Sequence, residues 1–314
     1  MKRIILSCLA VLFGISLAAQ TAMLRMNPEK NKVYKMRSVS EQTVTQTMNG
    51  NQQTTNADVT YVMSLRMMDS TPDFIVAEVH FDTLSTRTNA MGMVINSTST
   101  SEGDIKSTKT EDILSYVMNR ISKNPMFVKL DFTGKPIEVV NSKMISDMVL
   151  KDTGSITLEG IQATAIKSQL MGMVSDNNLK TIIEGFTWCL PGRQIRQGEE
   201  WNISQKTTSG GMMLDINTTY HLNNIKENYA DVTVESAIKA SENAAPIKSG
   251  GATVTYGNLQ GLSKGSMIID TNTGLVVSNK AKTHITGDLG ISAPGFSMNI
   301  PMDISGESYV ETLK

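Results

Sequence analysis

The chain is short of most residue types on which site chemistry depends. Its 314 residues include two cysteines, three histidines, eight prolines and only 5% aromatics. With His80, His221 and His284 alone, a histidine-rich metal cage is excluded, and a nucleophilic triad has few bases to draw on. Cys8 falls in the N-terminal apolar run, which leaves Cys189 without an internal disulfide partner. Charge is scarce as well, at 19% of residues, and nearly balanced, with 29 basic against 30 acidic groups. That balance offers no basic face to a phosphate backbone and argues against a nucleic-acid partner. Beyond Leu17 no apolar run approaches the roughly 20 residues that a membrane-crossing helix needs.

What is present begins with an address. Lys2 and Arg3 precede an apolar run from Ile4 to Leu17, and the small residues Ser16, Ala18 and Ala19 stand before Gln20. This is the pattern of a secretory signal peptide over residues 1–19, cleaved after Ala18 or Ala19. Export is therefore expected, to the periplasm or to the outer membrane and beyond. Cys8 sits inside the apolar run, whereas a lipid-anchor cysteine would end it, so no acyl anchor is expected there. Loss of Lys2 and Arg3 leaves 27 basic and 30 acidic residues. The mature chain of about 295 residues can bury roughly three-quarters of its unfolded surface without disulfides. Cys189 is expected to act as a small buried hydrophobe, since no basic residue or histidine adjoins it.

Residues 33–100 are rich in Thr, Val, Met and Ser, with apolar positions alternating as half-buried antiparallel strands require. In 74–84, Ile75, Ala77, Val79 and Phe81 take one face, and Glu78, His80 and Asp82 the other. The period then changes. Ile113, Leu114, Val117, Met118 and Ile121 recur at helical spacing behind Thr110, Glu111 and Asp112, and Pro125 ends that helix. A short helix is expected around Met144, Ile145, Met148 and Val149. A longer one should start near Leu158, with Ile161, Ala165, Ile166, Leu170, Met173 and Val174 on its inner stripe, and Asp176 should cap a further turn towards Phe186.

The second β-rich region echoes the first. Leu130-Asp131-Phe132-Thr133-Gly134 returns as Ile269-Asp270-Thr271-Asn272-Thr273-Gly274, each glycine falling where a hairpin bulge needs a residue without Cβ. Residues 74–84 match 229–239, where Ala230, Val232 and Val234 hold the inward face, and Lys32-Val33-Tyr34 parallels Glu200-Trp201-Asn202. The expected class is α+β: two related, curved antiparallel β-sheets, duplicated and half-barrel-like, packed with a central group of helices. No long Pro/Gly/Ser linker separates them, so residues 20–314 should form a single composite domain. Its parts are a first β repeat with inserted helix (20–141), a helical middle (142–187) and a second β repeat (188–314).

The stretch Leu24-Arg25-Met26-Asn27-Pro28-Glu29-Lys30-Asn31-Lys32-Val33-Tyr34-Lys35, followed by Thr43-Val44-Thr45-Gln46-Thr47-Met48-Asn49-Gly50, resembles the opening of an uncharacterised family of exported, β-rich proteins of Gram-negative bacteria. The stretch Leu190-Pro191-Gly192-Arg193-Gln194-Ile195-Arg196-Gln197-Gly198-Glu199-Glu200-Trp201 is similar to that family's turn into its second half, with Gln194 where a second proline is usual. The resemblance implies export and architecture and no activity.

Candidate chemistry is thin. Glu78, His80 and Asp82 share a strand face, but same-face neighbours stand about 7 Å apart, while metal ligands converge to about 2 Å from one point. Glu199 and Glu200 are adjacent and would point to opposite faces of a strand. Gly210-Gly211 and Gly250-Gly251 lack the Lys-Ser/Thr of a phosphate loop. Neither a metal nor a cofactor is expected, and the protein is read as a non-enzyme. Methionine is the exception, with 21 residues against 16 Phe, Tyr and Trp. Flexible thioethers suit a wall that accepts variable acyl chains. Met118, Ile166, Leu170, Met171 and Met173 are thus candidates to line an apolar or lipid-like ligand site between sheet and helices. A structural module binding another envelope protein is the alternative, and an exported hydrolase the third reading. Intact-mass measurement of the exported protein is expected to find a chain beginning at Ala19 or Gln20 and free of lipid; an acylated cysteine at its start is the contrary result.

Overall fold

The alternation in residues 74–84 becomes a strand with Ile75, Ala77, Val79 and Phe81 buried. A β-bulge then shifts the register, so that Leu84 is the next buried position. The computed structural model describes residues 20–48, 50–209, 212–242, 244, 246–249 and 252–313; the expected signal peptide, Cys8 included, lies outside them. Strands account for 59% and helices for 18%.

In the first half, β1 (Thr21–Leu24) leads into a meander of β2 (Val33–Met48), β3 (Asn51–Ser70), β4 (Ile75–Ala90) and β5 (Met93–Thr98). Helix α1 (Thr110–Ser122) and the hairpin of β6 (Met126–Leu130) and β7 (Pro136–Val139) follow. The middle holds α2 (Ser142–Leu150), α3 (Gly160–Met173) and α4 (Asp176–Thr187). Next come β8 (Arg193–Arg196), β9 (Glu200–Ser209), β10 (Met212–Lys226) and β11 (Tyr229–Ala240). The chain ends with β12 (Ile247–Ser249), β13 (Ala252–Asp270), β14 (Val276–Ala293) and β15 (Phe296–Leu313).

The two expected sheets are one. Thirteen strands join in the order β7-β6-β4-β3-β2-β15-β14-β13-β11-β10-β9, with β5 beside β4 and β12 beside β13. The reason is edge pairing: β3 covers only one side of the long strand β2, and β15 satisfies the other from Lys35↔Leu313 to Gln46↔Met302. The sheet does not close, since β7 and β9 end the path. Strands β1 and β8 form a separate two-stranded ladder.

That ladder delivers the chain to the two echoed turns. Gly134 and Gly274 adopt φ of 88° and 72°, and Asp131 Oδ1 accepts N–H bonds from Thr133 and Lys135 as Asp270 Oδ1 does from Asn272. Beyond β1, the Met26 N–H donates to Phe132 O at 2.9 Å and the Asn27 N–H to Thr273 O at 2.8 Å. One short segment thus clamps both hairpins. A Cβ on Gly274 would lie 2.3 Å from the Arg25 carbonyl oxygen, and one on Gly134 2.0 Å from that of Thr187.

The helices cover one face of the sheet. Helix α1 buries Ile113, Leu114, Val117, Met118 and Ile121, as its spacing predicts. The cap of α4 is Ser175 rather than Asp176: the Ser175 hydroxyl accepts from the Asn178 N–H, and Asp176 sits in the first turn. Helix α3 starts at Gly160 and buries Ile166 and Leu170, but Ala165, expected on the inner stripe, faces solvent. Gly274→Ala combines a left-handed backbone with a backbone clash and should cost at least about 3 kcal/mol. Gly50→Ala, at φ 80° with nothing within 4 Å, should cost about 1 kcal/mol; denaturant unfolding of the two variants makes the comparison.

Candidate functional site

Strand register places a row of small polar side chains on the face that meets the helices. Thr218, Ser236, Ser263, Thr283 and Gly306 stand opposite one another on β10, β11, β13, β14 and β15, and the row continues to Gln42 on β2. Neighbouring hydroxyls bond in pairs, Thr218 with Ser236 and Thr283 with Ser263, each at 2.9 Å. On the helix side of the row lies the main core, which includes Tyr220, Val232, Val234 and Met267. On the far side lies a second apolar cluster of Leu214, Ile238, Leu259, Ile285, Met302 and Ile304. A polar belt is therefore held between two apolar zones.

A cavity of about 280 Å³ lies over this belt beneath the C-terminal end of α4. Its wall carries Thr218, Tyr220, Val234, Ser236, Ser263, Met267, Ala281 and Thr283, with residues 184–189 above. Asn279 also lines it, and the Asn279 Oδ1 is buried with no hydrogen-bond partner. Burial holds the Glu184 carboxyl above its ordinary range, against the opposing pull of Lys135 and Lys180. Tyr220 stacks on Trp201 with ring centroids 5.1 Å apart, and the Trp201 Nε1–H donates to Cys189 O at 2.9 Å. Burial pushes the Cys189 thiol up to about 12, so it carries no thiolate at neutral pH.

A second cavity, of about 190 Å³, lies where Tyr61, Phe81 and Leu84 of the sheet meet α1, α3 and α4. Of the five residues expected to line a ligand site, Met118 and Met173 reach it. Ile166 and Leu170 are instead packed into the core, Leu170 with no exposed surface. Met171 is 63% exposed and does not line either cavity. It follows Leu170 by 100° around α3, which turns it off the buried stripe of Ile166 and Leu170. Met144 and Met148 also face solvent, so the methionines form no single wall. The polar belt escaped sequence reading because Ser and Thr in strands look solvated. The available signal was parity: Ser236, Ser263 and Thr283 share strand faces with the buried Val234, Met267 and Ile285.

The other face is ionic. Glu78 pairs with Arg66 at 2.5 Å, and Asp82 accepts from His80, Ser64 and Lys35 at 2.9, 2.7 and 2.9 Å. His221 meets Glu200 at 3.2 Å and His284 meets Asp303 at 2.9 Å. Among the described residues no group of three His, Cys, Asp or Glu could hold a metal. Glu235, Lys264, Lys282, Glu307, Glu41, Asp58 and Arg87 align across seven strands. Such a row suits water and is unlike the apolar band of a lipid-facing barrel wall. No described helix is long and apolar enough to cross a membrane.

Residues 73–276, from just before β4 to the start of β14, match the pattern of a family described as "Family of unknown function (DUF6263)". The chain belongs to that family. No curated protein matches it. Among solved structures, it is similar to an outer membrane channel from Pseudomonas putida F1, at 8% identity over 92% of this chain and 97% of that one, with a TM-score of 0.23. It is also similar to OccK11 (OpdR) of Pseudomonas aeruginosa, at 5% identity, 92% and 99% coverage and a TM-score of 0.24. A DUF1329 family protein from Desulfovibrio piger ATCC 29098 matches at 7% identity, 88% and 85% coverage and a TM-score of 0.13. Superpositions this loose carry no argument about the family's function.

Burial around α3 separates neighbours sharply. Leu170→Ala should destabilise by about 2–5 kcal/mol, and Met171→Ala by less than about 0.5 kcal/mol, as read from thermal or denaturant unfolding.

Proposed function

We propose that the protein is an exported, non-enzymatic component of the cell envelope that holds an amphiphilic, lipid-like ligand against the helix-covered face of its sheet. The observation that carries this reading is the belt of Thr218, Ser236, Ser263 and Thr283 set between two apolar zones beneath α4. An acyl chain would lie along the apolar cluster, and its polar group would meet the belt hydroxyls and the unpartnered Asn279 Oδ1. The cavity of about 280 Å³ falls just under the roughly 300–1,000 Å³ of drug-sized sites, so one chain or a small amphiphile fits better than a many-chained lipid. The leader pattern of residues 1–19 supports export. The echoed turns, and the meander order shared by β2-β3-β4-β6-β7 and β9-β10-β11-β13-β14, support descent of both halves from one repeat. The free edges of β7 and β9 favour the alternative, an interaction module that adds a partner's strand.

Native mass spectrometry of protein from its own host should find a co-purified amphiphile, and a fluorescent fatty acid should bind after delipidation. Ala281→Phe fills the trough and should weaken that binding at least about tenfold while cooperative unfolding persists. Absence of both co-purified lipid and probe binding in the wild type would leave the interaction module as the better reading.

A further inference from the structure

We propose that the protein docks on the surface of a neutral, zwitterionic lipid bilayer through the hairpin tips at one end of its sheet. The docking surface is argued from the tips alone and stands independently of what the trough holds. Register sets three turns at the same end: β2 to β3 at 48–51, β4 to β5 at 90–93, and β14 to β15 at 293–296. They belong to six adjacent strands, β5-β4-β3-β2-β15-β14.

Two features of these tips point to one occupant. The first is absence of charge: residues 42–57, 88–101 and 289–302 contain no Lys, Arg, Asp or Glu, in a chain that is 19% charged. The same strands carry Lys282, Glu307, Glu41, Asp58 and Arg87 in register further down. On these six strands the longest uncharged stretches thus lie at this end. The second is protruding apolar surface, with Met91 75%, Met93 69% and Phe296 53% exposed, and Val94 and Ile95 exposed beside them.

A bilayer interface fits this pattern better than a protein does. The apolar groups stand on separate turn tips rather than along a groove or flat patch, which a fluid surface accommodates and a rigid partner does not. Between them lie neutral hydrogen-bonding groups such as Gln46, Gln52, Asn89 and Asn299, able to meet headgroups without the cost of burying charge. Without Lys or Arg, the tips have nothing that selects anionic lipid. The neighbouring end of β13, residues 252–263, is uncharged as well, and beyond it the end of β11 carries the Lys239–Glu242 pair at 3.1 Å, which bounds the neutral surface on that side. The buried apolar cluster of Ile285, Met302 and Ile304 lies on the same strands, on the tip side of the hydroxyl belt.

Flotation of the whole mature protein with phosphatidylcholine vesicles, with and without added phosphatidylglycerol, at low and high salt, tests the proposal. Comparable binding to both vesicle types at both salt concentrations is expected. The triple variant Met91→Asn, Met93→Ser, Phe296→Asn should lose binding at least about tenfold with its unfolding midpoint kept, while Met171→Ser, which removes another largely exposed methionine, on α3, should bind like wild type. Binding that vanishes at high salt, persists in the triple variant or never occurs would overturn it. Self-association seen by sedimentation and abolished by the triple variant, with no vesicle binding, would assign the tips to a contact between copies instead. Vesicle binding by Ala281→Phe separates failure of this surface from failure of the trough.

Discussion

The pairing of β15 with β2 is the constraint on which the rest of the molecule depends. Without it each half would be a meander with a long exposed edge, and edges of 16 or 18 residues invite uncontrolled pairing. With it, the last strand pairs with the second, and thirteen strands form one sheet that runs from β7 to β9. The clamp formed by Met26 and Asn27 on the two glycine turns holds the other end, tying the echoed hairpins to the chain that precedes β2.

Side-chain chemistry is sorted along that surface in two directions. Across its thickness, carboxylates, lysines and histidines face water in pairs, and among the described residues none of them is fully buried. Along the strands, the inner face passes from a helix-covered core through a hydroxyl belt to a second apolar cluster, and the outer face passes from a charged row to uncharged tips. Most hydroxyls of the belt satisfy one another, which makes burial of Thr218 cheap. Asn279 Oδ1 and Ser97 Oγ are the buried side-chain atoms without a partner among the described residues, and Asn279 Oδ1 lies where the proposed ligand would place its polar group.

Much of the fold was legible because burial acts locally. The alternation of Ile75, Ala77, Val79 and Phe81, the helical stripe of Ile113 to Ile121, and the need for Gly134 and Gly274 each follow from a few neighbouring residues. Helix α3 was less legible because its apolar residues are spread around the axis, so that Ala165 and Met171 could be placed inward by pattern and lie outward in fact. The count of sheets was not legible either. Two meanders read alike whether they stack or join, since the deciding bonds link positions as far apart as Lys35 and Leu313.

By itself the sequence determined strand and helix periods, the turns that need glycine, the leader pattern and the poverty of catalytic residue types, because each depends on residue chemistry or short spacing. Tertiary structure alone decided that the halves share one sheet, that Met118 and Met173 reach a cavity while Met171 does not, and that Thr218, Ser236, Ser263 and Thr283 form a belt. The physical reason is register: which side chains become neighbours across a sheet is set by long-range backbone hydrogen bonds, and a slip of one residue would turn every one of them to the opposite face.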